Sequence, residues 1–380
     1  MADLPCHRVR RALQLLPREL PATTRRVSLE IDTRHLVEHF HESHSTFANS
    51  PLYQAYCCVV PDEPSLLALL MGRRQGQQPS FLLFGAIHFI LLAGETHPLS
   101  DFYPDLGGAR PADPEEVRPV LRDFCRRYRD ELSRLVTTRL VQSNVVQRAF
   151  ALRMLLHAVR GHCHVPVHLI EVGASAGIHL RFDDYRYEIG GRVFGKADSR
   201  VAISTLWLSD KPPPDLDDIA QVKSRVGVDL APIDTAREED RLWLRALVWP
   251  EATHEARLLA SALECVAQNP PRVVSGDAID VLPELAASLP LGEPRVVFHA
   301  ATRMHVPADR RCAFDAAIDA LNREGPLYHG WLEPGWAQHA DFPSLAAEAL
   351  AFHGPDENVG HLLVRIGGHG EWMAPIEHAL

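Results

Sequence analysis

The sequence predicts an α/β protein in which a mostly parallel sheet is covered by helices on both faces and preceded by a long helical region. Three observations carry this. After His164, short apolar β-rich runs alternate with helical stretches, which is how a parallel sheet reads in sequence. Before it, apolar residues recur at helical spacing. The first β-rich run, Val165–Val172, passes straight into a glycine-rich turn. Two domains follow from this change of texture: a helical cap or substrate region over 1–164 and a sheet domain over 165–380 with an insertion at about 181–224.

In the first region, Thr33–Phe47 carries Leu36, Val37, Phe40 and Phe47 at helical intervals. Ser50-Pro51 reads as an N-cap followed by proline at the first helical position, opening Leu52–Val60. Asp62-Glu63-Pro64-Ser65 opens a helix that ends near Gly72. Phe81–Ala93 is apolar on every side and too short to span a bilayer, so it predicts a buried helix. His97–Pro114 is turn-rich, and helical spacing resumes over Glu115–Leu135 and Asn144–Val159.

In the second region, strands are predicted at Val165–Val172, Val226–Leu230, Arg272–Ser275, Val296–His299, Leu327–Leu332 and Leu362–Ile366. Helices are predicted at Ala176–Tyr185, Glu238–Ala246, Thr253–Gln268, Ala278–Ser288, Ala308–Arg323 and Ser344–Ala351, with a hairpin at Tyr185–Phe194 inside the insertion.

The 380 residues carry a net charge of −10, which argues against a general nucleic-acid binder, whose affinity comes from neutralising phosphates. Seven cysteines without a CxxC pair read as reduced thiols in a cytosol. Neither a secretory signal nor a membrane span is expected. The cytoplasm and a small-molecule partner are the resulting expectations. The histidines His35, His39, His41 and His44 lack HExxH or cysteine spacing and read as a solvated helix face. His88, inside the apolar helix, reads as a hydrogen-bonded core residue.

The chemistry concentrates in Val167–Leu180, VHLIEVGASAGIHL. Glycines 173 and 177 allow a sharp turn and close backbone approach, and a helix start beyond them would add a partly positive rim. Three chemistries use a strand, a glycine-rich turn and a helix. The spacing does not fit the dinucleotide pattern G-x-G-x-x-G. Gly173-Ala174-Ser175-Ala176-Gly177 matches the G-x-S-x-G nucleophile elbow, with Asp341 and His361 as acid and base in chain order. No HGG-type oxyanion segment precedes it.

The third chemistry is that of S-adenosylmethionine. Glu171, Gly173 and Gly177, with Ser175 at the central glycine position, resemble the first motif of the class I methyltransferase superfamily. That resemblance implies a Rossmann-like methyltransferase fold and a cofactor site at Glu171, Gly173, Ala174, Ser175 and Gly177. It extends to Val226–Asp234, where Asp229 would hold the ribose hydroxyls and Glu188 is a rival. It also covers Ser275–Ala278, where Asp277 would hold the adenine amino group, and Val296–Pro307, a loop that often carries catalytic groups. His299, at the end of that strand, is the expected catalytic base; His305 is the weaker candidate.

The whole chain resembles more closely a bacterial family of unknown function through Ser50–Tyr53 (SPLY), Tyr103–Pro111, EVGASAG and Trp243–Glu251 (WLRALVWPE). A related pattern carries Thr-Asn-Glu where this chain has Ser143-Asn144-Val145. The expected activity is methyl transfer from S-adenosylmethionine to a small molecule. The alternatives are a serine hydrolase using Ser175 and a methyltransferase-like binding protein without chemistry.

Overall fold

The structure, a computed structural model, describes residues 22–334, 348–355, 357, 360–367 and 369–376. The chain forms two compact units. One takes the residues up to Ser143 together with Leu242–Ala256; the other takes Asn144–Arg241 and Arg257 onward. The division falls before the helical segment that the sequence reading gave to the cap, because that segment packs within the second unit.

The first unit is helical: α1 (Ala22–Thr46), α2 (Pro51–Val59), α3 (Pro64–Leu67), α4 (Pro79–Leu92), α5 (Pro114–Arg127) and α6 (Arg129–Thr138). Each of α2 to α5 begins at a proline, where the missing N–H costs nothing. Helix α4 is buried nearly all round, as its apolar run predicts. Ser50 caps α2 by accepting from Tyr53 N. Glu251, from the returning segment, accepts from Ser50 Oγ at 2.6 Å and Leu52 N at 3.0 Å, so two distant motifs meet at one helix start. His88 is 1% exposed. Its Nδ1 donates to Ala246 O (3.1 Å) and its Nε2 meets Asp105 (2.8 Å), which makes it a core residue. Tyr56 and Tyr103 join hydroxyls beside it. His35, His41 and His44 are exposed, whereas His39 turns to Ser43 and Ser80.

The second unit opens with α7 (Ala149–His162) and β1 (Val167–Val172). Then come β2 (Arg186–Ile189), β3 (Arg192–Gly195), β4 (Ala202–Trp207) and β5 (Val222–Asp229). Helices α8 (Glu238–Ala246) and α9 (Thr253–Gln268) run across the unit boundaries at Leu242 and Arg257; after them follow β6 (Val273–Ser275), α10 (Ala278–Ser288), β7 (Arg295–Ala300), α11 (Arg311–Asp319) and β8 (Leu327–Glu333). The described chain closes with β9 (Ala349–His353), β10 (His361–Ile366) and β11 (Trp372–Pro375). Among the described residues these strands form one mixed sheet in the order β3-β2-β4-β11-β10-β9-β8-β7-β1-β5-β6. The run β6-β5-β1-β7-β8 is wholly parallel; β8 to β11 are antiparallel neighbours. The strands β5 and β6 add on one side of β1 and β7 and β8 on the other, so the chain reverses direction across the sheet beside β1. Open α/β sheets bind ligands at such a switch point.

Alternate residues of β1 face opposite layers. Ile170 and Val172 join Val226, Val228 and Val297 in a core closed by α10 and α11 through Leu282, Leu285, Phe314 and Ile318. The other face receives α7. Leu155 of that helix lies against Gly330 of β8, Phe150 is edge-on to Tyr187 of β2, and the Arg153 guanidinium sits 4.9 Å over the Tyr187 ring. Strands from both wings thus meet one helix, and the sheet coils around α7.

Two sequence expectations are corrected. No α-helix follows the glycine-rich turn: His179–Asp184 is a 3-10 segment broken at Arg181, whose φ and ψ of −103° and 19° are not helical. The anion-attracting helix start therefore does not exist. Residues 349–351 of the expected last helix instead belong to strand β9, paired on both sides; residues 344–347 lie outside the described residues. The hairpin is present as β2 and β3, turning at Gly190-Gly191.

Candidate functional site

The carboxyl ends of β1, β5, β7 and β8 gather the polar residues of the second unit. Gly173, Ser175 and Gly177 have φ of 78°, 48° and 72°. Glycine adopts that region freely, whereas serine there is strained. The glycines are also needed for space. A Cβ on Gly173 would lie 2.7 Å from Thr302 Cγ2, with Oγ1 closer still, and one on Gly177 would lie 2.5 Å from Pro271. Their bareness thus serves packing of the turn, whose middle residues Ala174, Ser175 and Ala176 are buried while Gly173 is partly exposed.

Asp229 ends β5 and organises this turn. Its Oδ2 accepts from Ser175 N and its Oδ1 from Ala231 N, both at 2.8 Å. Gly276 N donates to Asp229 O, which sets Asp277 beside it on the same edge. Asp277 caps α10 by accepting from Ile279 N and pairs with Arg310 at 2.8 Å. Asp229 and Asp277 are both half-buried. Glu188 is exposed on β2 and paired with Arg186; Asp229 is the acid that holds the turn.

Glu171 is 2% exposed. Its Oε1 lies 2.7 Å from His179 Nδ1, and Nε2 of that ring lies 2.9 Å from Val145 O. A carbonyl only accepts, so Nε2 carries a proton. Nδ1 then either accepts from a protonated Glu171 or donates as an imidazolium, and the pair is neutral in both cases. Burial pushes the Glu171 carboxyl above its usual range; the His179 charge and hydrogen bond oppose this and Asp229 adds to it. Glu171 Oε2 is buried with no hydrogen-bond partner. Asn144 Nδ2 donates to Ser175 Oγ at 3.0 Å. Asn144 and Val145 therefore strap the start of α7 onto the turn. His179 went unnoticed in the sequence, where it reads as one more residue of an expected helix.

The loop after β7 is fixed from β8. Glu333 is fully buried and accepts from Thr302 N, Arg303 N and Met304 N at 2.8, 2.9 and 3.2 Å. His299 Nδ1 meets the same carboxylate at 2.8 Å. Burial works against the charge on Glu333, but the His299 hydrogen bond and charge and the Thr302 and Arg303 N–H groups outweigh it and hold the carboxyl below its usual range. Arg303 adds a two-pronged pair with Asp315, and Thr302 Oγ1 donates to Val172 O.

The expectation that His299 projects over the cleft does not hold. It is 1% exposed and edge-on to Phe314 of α11. Register pairs it with Val172, while Glu171 pairs with Phe298, so His299 lies on the opposite face of the sheet from Glu171. It positions the loop through Glu333. His305, further along that loop, is exposed. Its pKa is nonetheless lowered, by desolvation first, with Glu333 opposing and Arg148 reinforcing.

Ser175 has the positive φ a nucleophile elbow requires, but its hydroxyl meets Asn144, and both nitrogens of nearby His179 are engaged elsewhere. His361 pairs with Glu357 at 3.0 Å. Asp341 lies outside the described residues. Among the described residues no histidine hydrogen-bonds Ser175.

Among the described residues, no helix is long and apolar enough to cross a membrane. Residues 35–374 match the model of a family described as uncharacterised proteins conserved in bacteria (DUF2332), and the chain belongs to that family. Comparison with curated proteins found no match.

Proposed function

We propose that this member of the family transfers a methyl group from S-adenosylmethionine to a small-molecule acceptor at the carboxyl edge of β1, β5, β6, β7 and β8. One observation carries the reading: Glu171, Asp229 and Asp277 end or follow adjacent strands at the switch point, in the order and with the chemistry the class I methyltransferase resemblance implies. The parallel run β6-β5-β1-β7-β8 suits a Rossmann-like methyltransferase arrangement. The half-buried carboxylates of Asp229 and Asp277 suit hydroxyl and amino donors, and the orphaned Glu171 Oε2 suits one more donor. Gly173, the partly exposed residue of the turn, is where a ligand could approach its backbone; Ala174–Ala176 are buried and shape the turn from beneath.

When bound, the cofactor supplies an electrophilic methyl group on a sulfonium. The chain supplies position. Asp229 and the Asn144–Val145 strap hold the turn, and Glu333 holds the facing loop, so the edge is organised in advance. His305, whose depressed pKa favours the neutral imidazole, is the ring at this edge suited to take the acceptor's proton. His299 keeps its place as the group that positions Glu333.

Calorimetric titration of S-adenosylhomocysteine tests the reading. Binding to the wild type should weaken roughly tenfold to a hundredfold in Asp229→Asn, the range for a lost hydrogen bond to a charged group. Absence of binding to the wild type, with fluorophosphonate labelling of Ser175, would replace the reading by the hydrolase.

A further inference from the structure

We propose that Arg148 and Glu348 form a binding site for an α-amino-acid zwitterion, the guanidinium taking the carboxylate and Glu348 the ammonium. Arg148 is the residue at the N-terminal boundary of α7. Its backbone N–H donates to Val145 O, the carbonyl that also receives His179, so its side chain leaves from the strap over the turn. Its Nε is buried and has no hydrogen-bond partner.

The other enclosed arginines of this unit have hydrogen-bond partners for their guanidinium groups, although Arg295, whose Nε is also unpartnered, reaches only the carbonyl oxygens of Glu293, Ala286 and Pro290. Arg153 binds Leu216 O and Asp217, Arg225 binds Asp183, and Arg303 binds Asp315. Arg148 feels Glu348 and Glu333 only through space, and burial pulls its pKa down against both. Glu333 is already committed to His299 and three backbone N–H groups. Arg148 is half-buried, with its Nε enclosed; a guanidinium keeps its proton at every accessible pH, so it offers a charge and an N–H that no side chain of the described residues takes up. The arrangement makes sense when a ligand supplies the anion.

Glu348 defines which anion. It immediately precedes Ala349, the register partner of Glu333, so it stands at the same end of β8 as the loop held by Glu333. It is half-buried, and its pKa is raised by burial despite the opposing Arg148 charge. A phosphate or a dicarboxylate would meet repulsion from Glu333 and Glu348. A carboxylate fits the guanidinium fork, and an ammonium on the neighbouring carbon relieves Glu348. Two sources carry this group: the methionyl end of S-adenosylmethionine, which rests on the function proposed above, and a free amino-acid acceptor, which does not.

The experiment uses the full chain, wild type and Arg148→Met. The probes are S-adenosylhomocysteine, 5′-methylthioadenosine, which lacks the amino-acid end, and the common α-amino acids with their N-acetyl forms. Calorimetry gives affinities, and the Arg148 Nε–H resonance, assigned by its loss in the variant, reports contact. At least one zwitterionic probe should shift that resonance and lose roughly thirtyfold or more in affinity in Arg148→Met, while its N-acetyl form binds more weakly to the wild type. Loss confined to S-adenosylhomocysteine, with 5′-methylthioadenosine unaffected, identifies the cofactor as the source; loss confined to an amino acid identifies the acceptor. Amino-acid binding without any S-adenosylhomocysteine binding would end the methyltransferase reading and leave this site standing. The site is overturned if zwitterionic probes bind both proteins equally or bind neither. A fold control separates binding from structure: removing an unmatched charge should leave the unliganded melting temperature unchanged or higher, whereas removing a structural arginine would lower it.

Discussion

The contact between Gly173 and Thr302 offers a test of how tightly the turn is built. Gly173→Ala places a methyl group at φ 78°, in the left-handed region, which costs roughly 1–2 kcal/mol for a residue with a side chain. The same methyl would lie 2.7 Å from Thr302 Cγ2 and 3.0 Å from its Cβ, so Thr302 must move. Its hydroxyl then leaves Val172 O and Ala300 O, which it meets at 3.1 and 3.2 Å, for a further loss of about 1 kcal/mol. The expected destabilisation is about 2–3 kcal/mol. Thr302→Ala alone should cost about 1 kcal/mol through the lost hydroxyl bond. In the double variant the closest remaining atom is the Cβ of residue 302, at 3.0 Å, so the clash with Oγ1 and Cγ2 is removed and the backbone strain and hydroxyl loss dominate. The double-mutant cycle should return a coupling of about 1 kcal/mol in favour of the pair. Urea unfolding followed by far-ultraviolet circular dichroism measures it as midpoint shifts at constant slope. Strictly additive costs would refute the claim that Thr302 occupies the space a side chain at 173 needs.

Other outcomes follow from the same geometry. Glu333→Gln should destabilise by roughly 3–5 kcal/mol at neutral pH, since it breaks a buried charge network. Because the native Glu333 pKa lies below its unfolded value of about 4.5, its contribution is present above that pH and lost as pH falls through the native value. The variant should therefore show a shallower acid-side slope in urea midpoint against pH, and an unchanged slope would contradict the assignment. Glu171 has the opposite sign. Its native pKa is raised, so its contribution is complete below about 4.5 and declines as pH rises through the native value. Glu171→Gln, which resembles the protonated acid, should flatten that decline, and equal slopes in both proteins would count against a raised pKa. In the helical unit, Glu251→Ala leaves Ser50 Oγ and Leu52 N without their acceptor and should cost about 1–3 kcal/mol by thermal unfolding; a change below a few tenths would show that water replaces it.

The helices that could be read from sequence are those with local start and stop chemistry. Glu238–Ala246, Thr253–Gln268 and Ala278–Ser288 occur at the expected boundaries, with acidic first turns and, at Asp277, a capping side chain. Ala349–Ala351 closes the alanine-rich Ser344–Ala351 run that reads as helix, but β8 and β10 claim its backbone from both sides, and long-range pairing overrides propensity. The Ile178–Tyr185 stretch fails as a helix because Tyr185 Oη and Arg225 Nη1 bind the Ile178 and Leu180 carbonyls, while His179 is committed to Glu171 and Val145. Composition at the site was legible: Glu171, Asp229 and Asp277 do share one sheet edge. Orientation was not. Whether His299 or Phe298 faces Glu171 depends on the register of β1 with β7, a fact set between residues more than a hundred positions apart. Arg148 carried no signal, since an unmatched arginine is defined by what surrounds it in space.

The return of Leu242–Ala256 to the helical unit has a consequence for how the protein is made. That unit cannot finish until the ribosome has passed residue 256, because Glu251 completes the start of α2, Trp243 donates to Leu140 O at 2.8 Å, and Ala246 O receives His88. Until then the emerging helices hold their apolar α4 without its last partners, while β1 to β5, already synthesised, await β6 to β8. Neither unit matures first as a separate stretch of chain: the first closes with Leu242–Ala256 and the second with strands made after it. A fragment ending at the texture change near His164 would lack the segment that seals its own core, and a nascent chain stalled before residue 242 should be a better substrate for chaperones and proteases than one stalled after residue 300.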